Sequence, residues 1–428
     1  MKYIFLLIFS IYQFSVFAQL SNKESQMIQS VDKYNDDALI LLKELVNINS
    51  GTMNFAGVKK VGFVLKDEFD KLGMNTTWID GSSFNRSGHL LAETTKGKGK
   101  KILLIGHLDT VFEPDSPNQE WIAVDDNTVK GPGIADMKGG DVIILQALKV
   151  LHKHGLLNKM NIKVIMTGDE EYSGSPLSLS KNELIKAAEW ADIALGFENG
   201  DGNPSTVNVA RRSSVSWQLK VTGNAAHSSQ IFKPEVGAGA IFEASRILNQ
   251  FYQQLSAEEF LTFNPGFFLG GTDVSLFEGG DSGKAFGKKN VVSKEVTVSG
   301  DLRCLTVDQE SNAMKTMREI VTENLPGTSA SIDFKEGYPP FSPTEGNYQL
   351  MKTFSGISQE LGFGEVTAVN PSDAGAADIS FTNGLIEMGI DGLGMAGKYD
   401  HTINEIGYLD ALPMQTKRTV ILLHRLSK

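Results

Sequence analysis

Three stretches of this chain share one layout: a short apolar run that ends on polar residues able to bind a cation. Residues 101–105 lead into Gly106-His107-Leu108-Asp109, residues 162–166 into Gly168-Asp169-Glu170-Glu171, and residues 193–197 into Glu198. Apolar runs of this length, flanked by glycine and charge, predict buried parallel strands, because a strand covered on both faces has no polar side to alternate with. In open α/β sheets, chemistry collects beyond the carboxyl ends of such strands. One histidine and several carboxylates are therefore expected at one edge of one sheet, which is the composition of a metal-hydrolase centre. Helical stretches at 58–72 and 140–154 alternate with the strands. This predicts an α/β catalytic domain with a mostly parallel sheet and helices on both faces.

The pattern changes after residue 210. Val215, Trp217, Leu219 and Val221 alternate with polar residues, the signature of a half-exposed strand. Strand, helix, strand, strand, helix, strand over 211–337 predicts a small α+β domain inserted into the first. Pro339-Pro340 and Pro343 mark the return crossing, and residues 338–428 complete the catalytic domain begun at 19–210. Residues 1–18 read as a secretory signal peptide: Lys2 precedes an apolar run, and Val16-Phe17-Ala18 offers small residues for cleavage. That run is short for a membrane span, and no second long apolar stretch follows it, so no membrane association is expected after cleavage. The chain has 428 residues and one cysteine, Cys304, which rules out an intrachain disulfide and leaves stability to a large core. A net charge of −11 sets nucleic-acid binding aside.

Several residues carry chemistry. His107 and Asp109 form an H-x-D pair whose members share a strand face. His107 is suited to ligate a metal while Asp109 takes the other ring N–H; the plainer alternative is a surface histidine near a turn. Asp136 sits in a sharp Gly/Pro loop beside a helix start, as a bridging carboxylate or as a helix cap. Glu170 and Glu171 are adjacent and must diverge, so one is placed to ligate and the other to act as a base; a solvated acidic loop would look the same. Glu198, His227 and His401 are weaker signals alone, and His89, His152, His154 and His424 read as structural or surface residues. Two histidines and three acids make a mixed N/O ligand set that suits zinc, cobalt or manganese. No G-x-S-x-G elbow occurs, so a serine hydrolase is a poor reading.

The ordered set resembles the M20 family of metallopeptidases. The motifs are Gly-His-Leu-Asp-Thr-Val at 106–111, Gly-Pro-Gly-Ile-Ala-Asp-Met-Lys-Gly-Gly at 131–140, Gly-Asp-Glu-Glu at 168–171, and a late histidine at 401. The resemblance spans about residues 30–425. It implies two Zn2+ per chain, with Co2+ or Mn2+ as substitutes: His107 and Glu198 would hold one ion, Glu171 and His401 the other, and Asp136 would bridge. It implies Glu170 as general base and Asp109 as the partner of His107. Residues 211–337 would be a lid and dimerisation domain, giving a homodimer. His227 would stabilise the oxyanion, in many members from the opposite subunit, and Arg303 and Asn290 would hold a substrate carboxylate. Glu198, Gly392-Leu393-Gly394, the 398–401 loop and the signal peptide look nearest to the glutamate carboxypeptidase branch, although Lys398-Tyr399-Asp400 stands where several relatives have a glycine-rich run. The expectation is an exported (periplasmic or secreted) carboxypeptidase that releases a C-terminal amino acid such as glutamate from a peptide or N-acyl amino acid. The alternatives are an N-acyl amino acid deacylase and a non-catalytic peptide-binding relative.

Overall fold

The structure is a computed structural model that describes residues 20–428 apart from Asn118, Glu278, Asp281 and the side chain of Glu336. The expected signal peptide lies outside the described residues. Five strands open the main sheet: β1 (Asn75–Asp80), β2 (Gly88–Thr94), β3 (Lys101–His107), β4 (Asn161–Thr167) and β5 (Ile193–Gly196). The chain then builds a second sheet from β6 (Ser214–Gly223), β7 (Thr262–Gly271), β8 (Glu295–Arg303) and β9 (Thr328–Tyr338), and returns to add β10 (Met388–Ile390) to the first. The main sheet runs β1-β2-β4-β3-β5-β10. β4, β3, β5 and β10 are parallel, while β2 and β1 continue the sheet antiparallel at one side.

The continuous apolar runs have the expected cause. Ile102 and Leu104 of β3 point into the larger core, and Leu103 and Ile105 into the smaller core on the opposite face. Five helices bear on the site or its support: α1 (Asn22–Lys33), α2 (Asn35–Val46), α3 (Phe55–Lys71), α4 (Gly139–Lys153) and α5 (Asn182–Trp190). α4 is apolar on nearly every side, and Val142, Ile143, Ile144, Leu145, Ala147 and Leu148 are all buried. A helix of that composition belongs inside a fold. It is covered by α1, α2 and the last helix of the chain, Ala411–Leu426.

The apolar periodicity of residues 21–46 runs through two helices rather than one. Tyr34 leaves helical geometry (φ −100, ψ 7), ending α1 and starting α2, and Asp36 and Asp37 occupy the first turn of the new helix. Acids there are favoured by the helix dipole.

The second sheet is wholly antiparallel, in the order β7-β8-β6-β9. Helices α6 (Ala240–Leu255) and α7 (Val307–Thr322) cover one face. Trp217, Leu219, Val221, Ile247, Phe251 and Met317 form its own core. Cys304 is buried there as a free thiol. An added hairpin, Asp273–Leu276 with Gly283–Phe286, is one the sequence did not signal, because its strands are short and glycine-flanked. The two crossings between the sheets lie side by side: Arg211 and Phe341 exchange both backbone hydrogen bonds at 2.9 Å.

Candidate metal centre

β3, β4 and β5 end at the same edge of the sheet; His107 is the last residue of β3, and the loops beyond β4 and β5 bring Glu170, Glu171 and Glu198 to the same place. Asp136 enters from the turn preceding α4, where it does not cap the helix: the N-cap is Lys138, which makes no side-chain cap bond. His401 enters from the loop before the last helix.

The geometry centres on Asp136. Its Oδ1 is 3.2 Å from His107 Nε2, and its Oδ2 is 3.0 Å from His401 Nε2. His107 Nε2 also lies 3.5 Å from Glu198 Oε1, and His401 Nε2 lies 3.2 Å from Glu171 Oε2. The adjacent glutamates diverge: Glu171 sits with His107 and Asp136, and Glu170 with His107 and Glu198.

Asp109 is fully buried and does more than meet the histidine. Its carboxylate accepts the Glu170 N–H (3.1 Å), the Glu171 N–H (3.2 Å) and the Thr52 hydroxyl (2.6 Å). Toward His107 Nδ1 it presents its main-chain carbonyl at 3.0 Å and its carboxylate at 3.5 Å.

The electrostatics are frustrated. Burial, reinforced by the charge of Asp136, pushes Glu171 and Glu198 up to about 7. Burial and then Glu198 raise Glu170 well above the usual carboxylate range. Hydrogen bonds to Asp136 and Glu171 lift His401 to about 11. Burial opposes a charged ring at His107, yet the carboxylates around it, Glu198 first, still raise it. Asp136 would also be raised by burial, but the two histidines hold it low. The carboxylates lie close enough to raise one another, and of the four only Asp136 is held low, by the two histidines. A donor set of imidazole nitrogens and carboxylate oxygens, with one carboxylate facing both histidines, fits divalent cations well.

Three expected residues are not in this cluster. His227 is exposed on the inserted domain; its Nδ1 meets the Ser229 hydroxyl at 2.8 Å, and no hydrogen bond or ion pair joins it to the cluster among the described residues. Asn290 is its neighbour: the His227–Val291 bridge places them together, and the Asn290 carbonyl accepts the Ser228 N–H at 2.8 Å. Arg303 pairs with Asp301 at 2.9 Å.

Other residues support the site without having been singled out. Glu405, fully buried, accepts the N–H groups of Gly133, Ala135 and Asp136 at 2.8, 2.9 and 3.1 Å and so fixes the turn that carries the central carboxylate. Asp391 accepts the Glu198 N–H at 3.2 Å and is itself held by Arg211 at 2.7 Å. His89, read as structural or surface, is buried and accepts the Gly168 N–H at 3.1 Å. Asp141 lies against Gly106 with neither oxygen hydrogen-bonded among the described residues, and burial pushes its carboxyl far up. An isolated Asp or Glu has no motif, so sequence gave no signal for these.

A parallel-rich sheet with such a cluster at its carboxyl edge defines a metal-dependent hydrolase. The model of peptidase family M20/M25/M40 matches residues 103–424, and the chain belongs to that family. Carboxypeptidase G2 of Pseudomonas sp. (strain RS-16) is 26% identical over 395 residues, covering 92% of this chain and 89% of that one. A probable succinyl-diaminopimelate desuccinylase of Staphylococcus aureus is 25% identical, covering 74% and 79%. Among solved structures, an M20 family metallo-carboxypeptidase of Sulfolobus solfataricus superposes with a TM-score of 0.66 at 17% identity, over 91% of this chain and 99% of that one. A dinuclear metal-binding M20 peptidase of Bacillus subtilis does so with 0.62 at 14%, over 92% and 99%. The protein is thus an M20 metallopeptidase that hydrolyses amide bonds.

Proposed function

We propose that this protein is an exported, carboxypeptidase-type enzyme with two divalent ions, zinc first, that releases a C-terminal amino acid from a peptide or N-acyl amino acid. The observation that carries this reading is Asp136, whose two oxygens face two different histidines at 3.2 and 3.0 Å. His107 and Glu198 would hold one ion, His401 and Glu171 the other, with Asp136 shared. Ions bound there would polarise the scissile carbonyl and acidify water.

The chain's own residues do the rest. Glu170 takes a proton from the attacking water and delivers it to the leaving amine nitrogen. Its burial beside Glu198 favours holding that proton between the two steps. Asp109 orients His107 and, through two backbone N–H bonds, the Glu170-Glu171 pair. His227, Asn290 and Arg303 lie on the inserted domain, which on this reading closes over the substrate: His227 steadies the oxyanion, and Arg303 and Asn290 the carboxylate.

The inserted domain would also pair two copies into a homodimer. Phe232 and Phe242 lie exposed on its surface with ring centroids 5.8 Å apart and tilted to one another, and the helix that carries Phe242 also exposes Ile241 and Tyr252. Likeness to Carboxypeptidase G2 over most of both chains favours release of a C-terminal residue. Export rests on the amino-terminal sequence.

The test is metal content of the purified protein, then hydrolysis of C-terminal glutamate peptides, N-acyl amino acids and N-succinyl substrates with and without chelator. Two ions per chain and chelator-sensitive release of a C-terminal amino acid support the reading. Preference for the succinyl substrate would replace it with a deacylase, and metal-loaded protein inert on all of them would replace it with a binding protein. An amino-terminal residue beyond 18 on the protein from culture would support export.

A further inference from the structure

Tyr338 is the last residue of β9, the strand by which the chain leaves the inserted domain. It pairs with Ser214, the first residue of β6, so it sits where both crossings between the domains begin. Its hydroxyl donates toward the main-chain carbonyl of Glu170 at 3.0 Å and faces Asp378 Oδ1 at the same distance. A phenol has one hydrogen, so this is a single three-centre bond serving both acceptors. The Asp378 end is rigid. Lys181, fully buried, binds Asp378 at 3.0 Å and Asp169 at 2.9 Å, and Thr167 donates to the other Asp378 oxygen. The Tyr338 ring packs edge-on against Phe381, with centroids 4.9 Å apart.

Beside it, the two domains do not pack closely at one place. A cavity of about 470 Å³ opens between them, lined by Ile185 and Phe381 on the catalytic side and by Val215, Met314 and Phe334 on the other. The Tyr338 hydroxyl is a direct polar strut from the end of β9, one residue past the inserted domain's expected boundary, to the peptide that carries Glu170.

We infer that Tyr338 is a positioning residue: its hydroxyl ties the exit strand of the inserted domain to the Glu170 backbone, so that movement of the lid is transmitted to the general base. The inference rests on the reading of Glu170 as that base. A base displaced by a fraction of an ångström loses rate without losing substrate affinity.

Tyr338→Phe removes the hydroxyl and keeps the ring packing. In the metal-loaded full chain, kcat is expected to fall about 10- to 100-fold with KM changed less than about threefold, and backbone amide exchange at residues 168–174 to speed up. A merely structural hydroxyl would lower thermal stability and leave kcat per folded molecule unchanged. Wild-type kcat with unchanged exchange would overturn the inference, and so would a raised KM at constant kcat. If the wild-type protein hydrolyses nothing, the functional reading fails, and amide exchange alone decides whether the strut exists.

Discussion

At the residue scale, the site depends on side chains that hold other side chains. Glu170→Gln keeps shape and hydrogen-bonding capacity but cannot take up a proton. It is expected to lower turnover by about 10²- to 10⁴-fold with metal content unchanged; a near-normal rate in a steady-state assay would refute the base assignment. Glu405 acts one step back. Glu405→Ala leaves three buried N–H groups without an acceptor. Each such group costs about 1–3 kcal/mol unless water reaches it, so thermal unfolding should fall by several degrees and metal affinity should weaken together. Loss of neither would show that the turn at 133–136 stands without its anchor. The His401 loop carries strain of its own. Tyr399 and His401 adopt φ of 63° and 57°, the left-handed region that favours glycine. Within the Lys398-Tyr399-Asp400 run, Tyr399 therefore occupies a conformation its side chain disfavours, as does His401 after it, and fold contacts must hold both in place.

At the element scale, α1 is pinned at both ends of the chain. Ser21 and Glu24 form a capping box, and Glu24 reaches Arg425 on the last helix at 2.8 Å, where Arg425 also grips Glu360 at 2.6 Å. Burial alone would raise the Glu24 carboxyl, but hydrogen bonds from Arg425 and Ser21 bring it from 4.5 down to about 2. A carboxyl depressed on folding stabilises fully above its unfolded pKa and loses that contribution as pH falls through the folded one. The stability difference between wild type and Glu24→Gln should therefore be constant above pH 4.5 and shrink toward zero near pH 2. Solvent screening keeps it to about 1 kcal/mol, readable by denaturant unfolding at several pH values. A difference that grows on acidification would contradict the ion-pair account. The same scale explains the break at Tyr34, where apolar periodicity runs on through the gap although the helix does not.

At the scale of the whole molecule, metal binding at this centre is linked to proton release. Glu171 and Glu198 lie near 7 and His401 near 11. Ligands must shed their protons to coordinate. Adding Zn2+ to chelator-treated protein at pH 7 should release about two protons or more per chain, seen as a buffer-dependent enthalpy in calorimetry. Binding without proton release would mean that ions enter elsewhere. The exposed Phe232–Phe242 pair gives a second check. Phe242→Asp should convert a dimer into monomers in sedimentation, while a wild-type monomer would remove the pairing role of the inserted domain.

The sequence by itself determined a good deal. Strands covered on both faces must be apolar throughout, so β3, β4 and β5 were legible as runs, and glycine-rich turns at their ends marked where polar chemistry begins. The α/β class, the alternating β6 strand and the His107, Asp136 and Glu170-Glu171 positions were legible in local patterns of that kind, whereas Glu198 and His401 were weak signals alone and entered the ligand set through the family resemblance. Only the tertiary structure decided which residues serve the site from afar. Glu405, Asp391, His89 and Tyr338 act across long sequence separations, each through one or a few hydrogen bonds. A lone polar residue has no period and no motif. Its role is set by which backbone groups the fold brings within 3 Å of it, and that is a property of packing rather than of sequence.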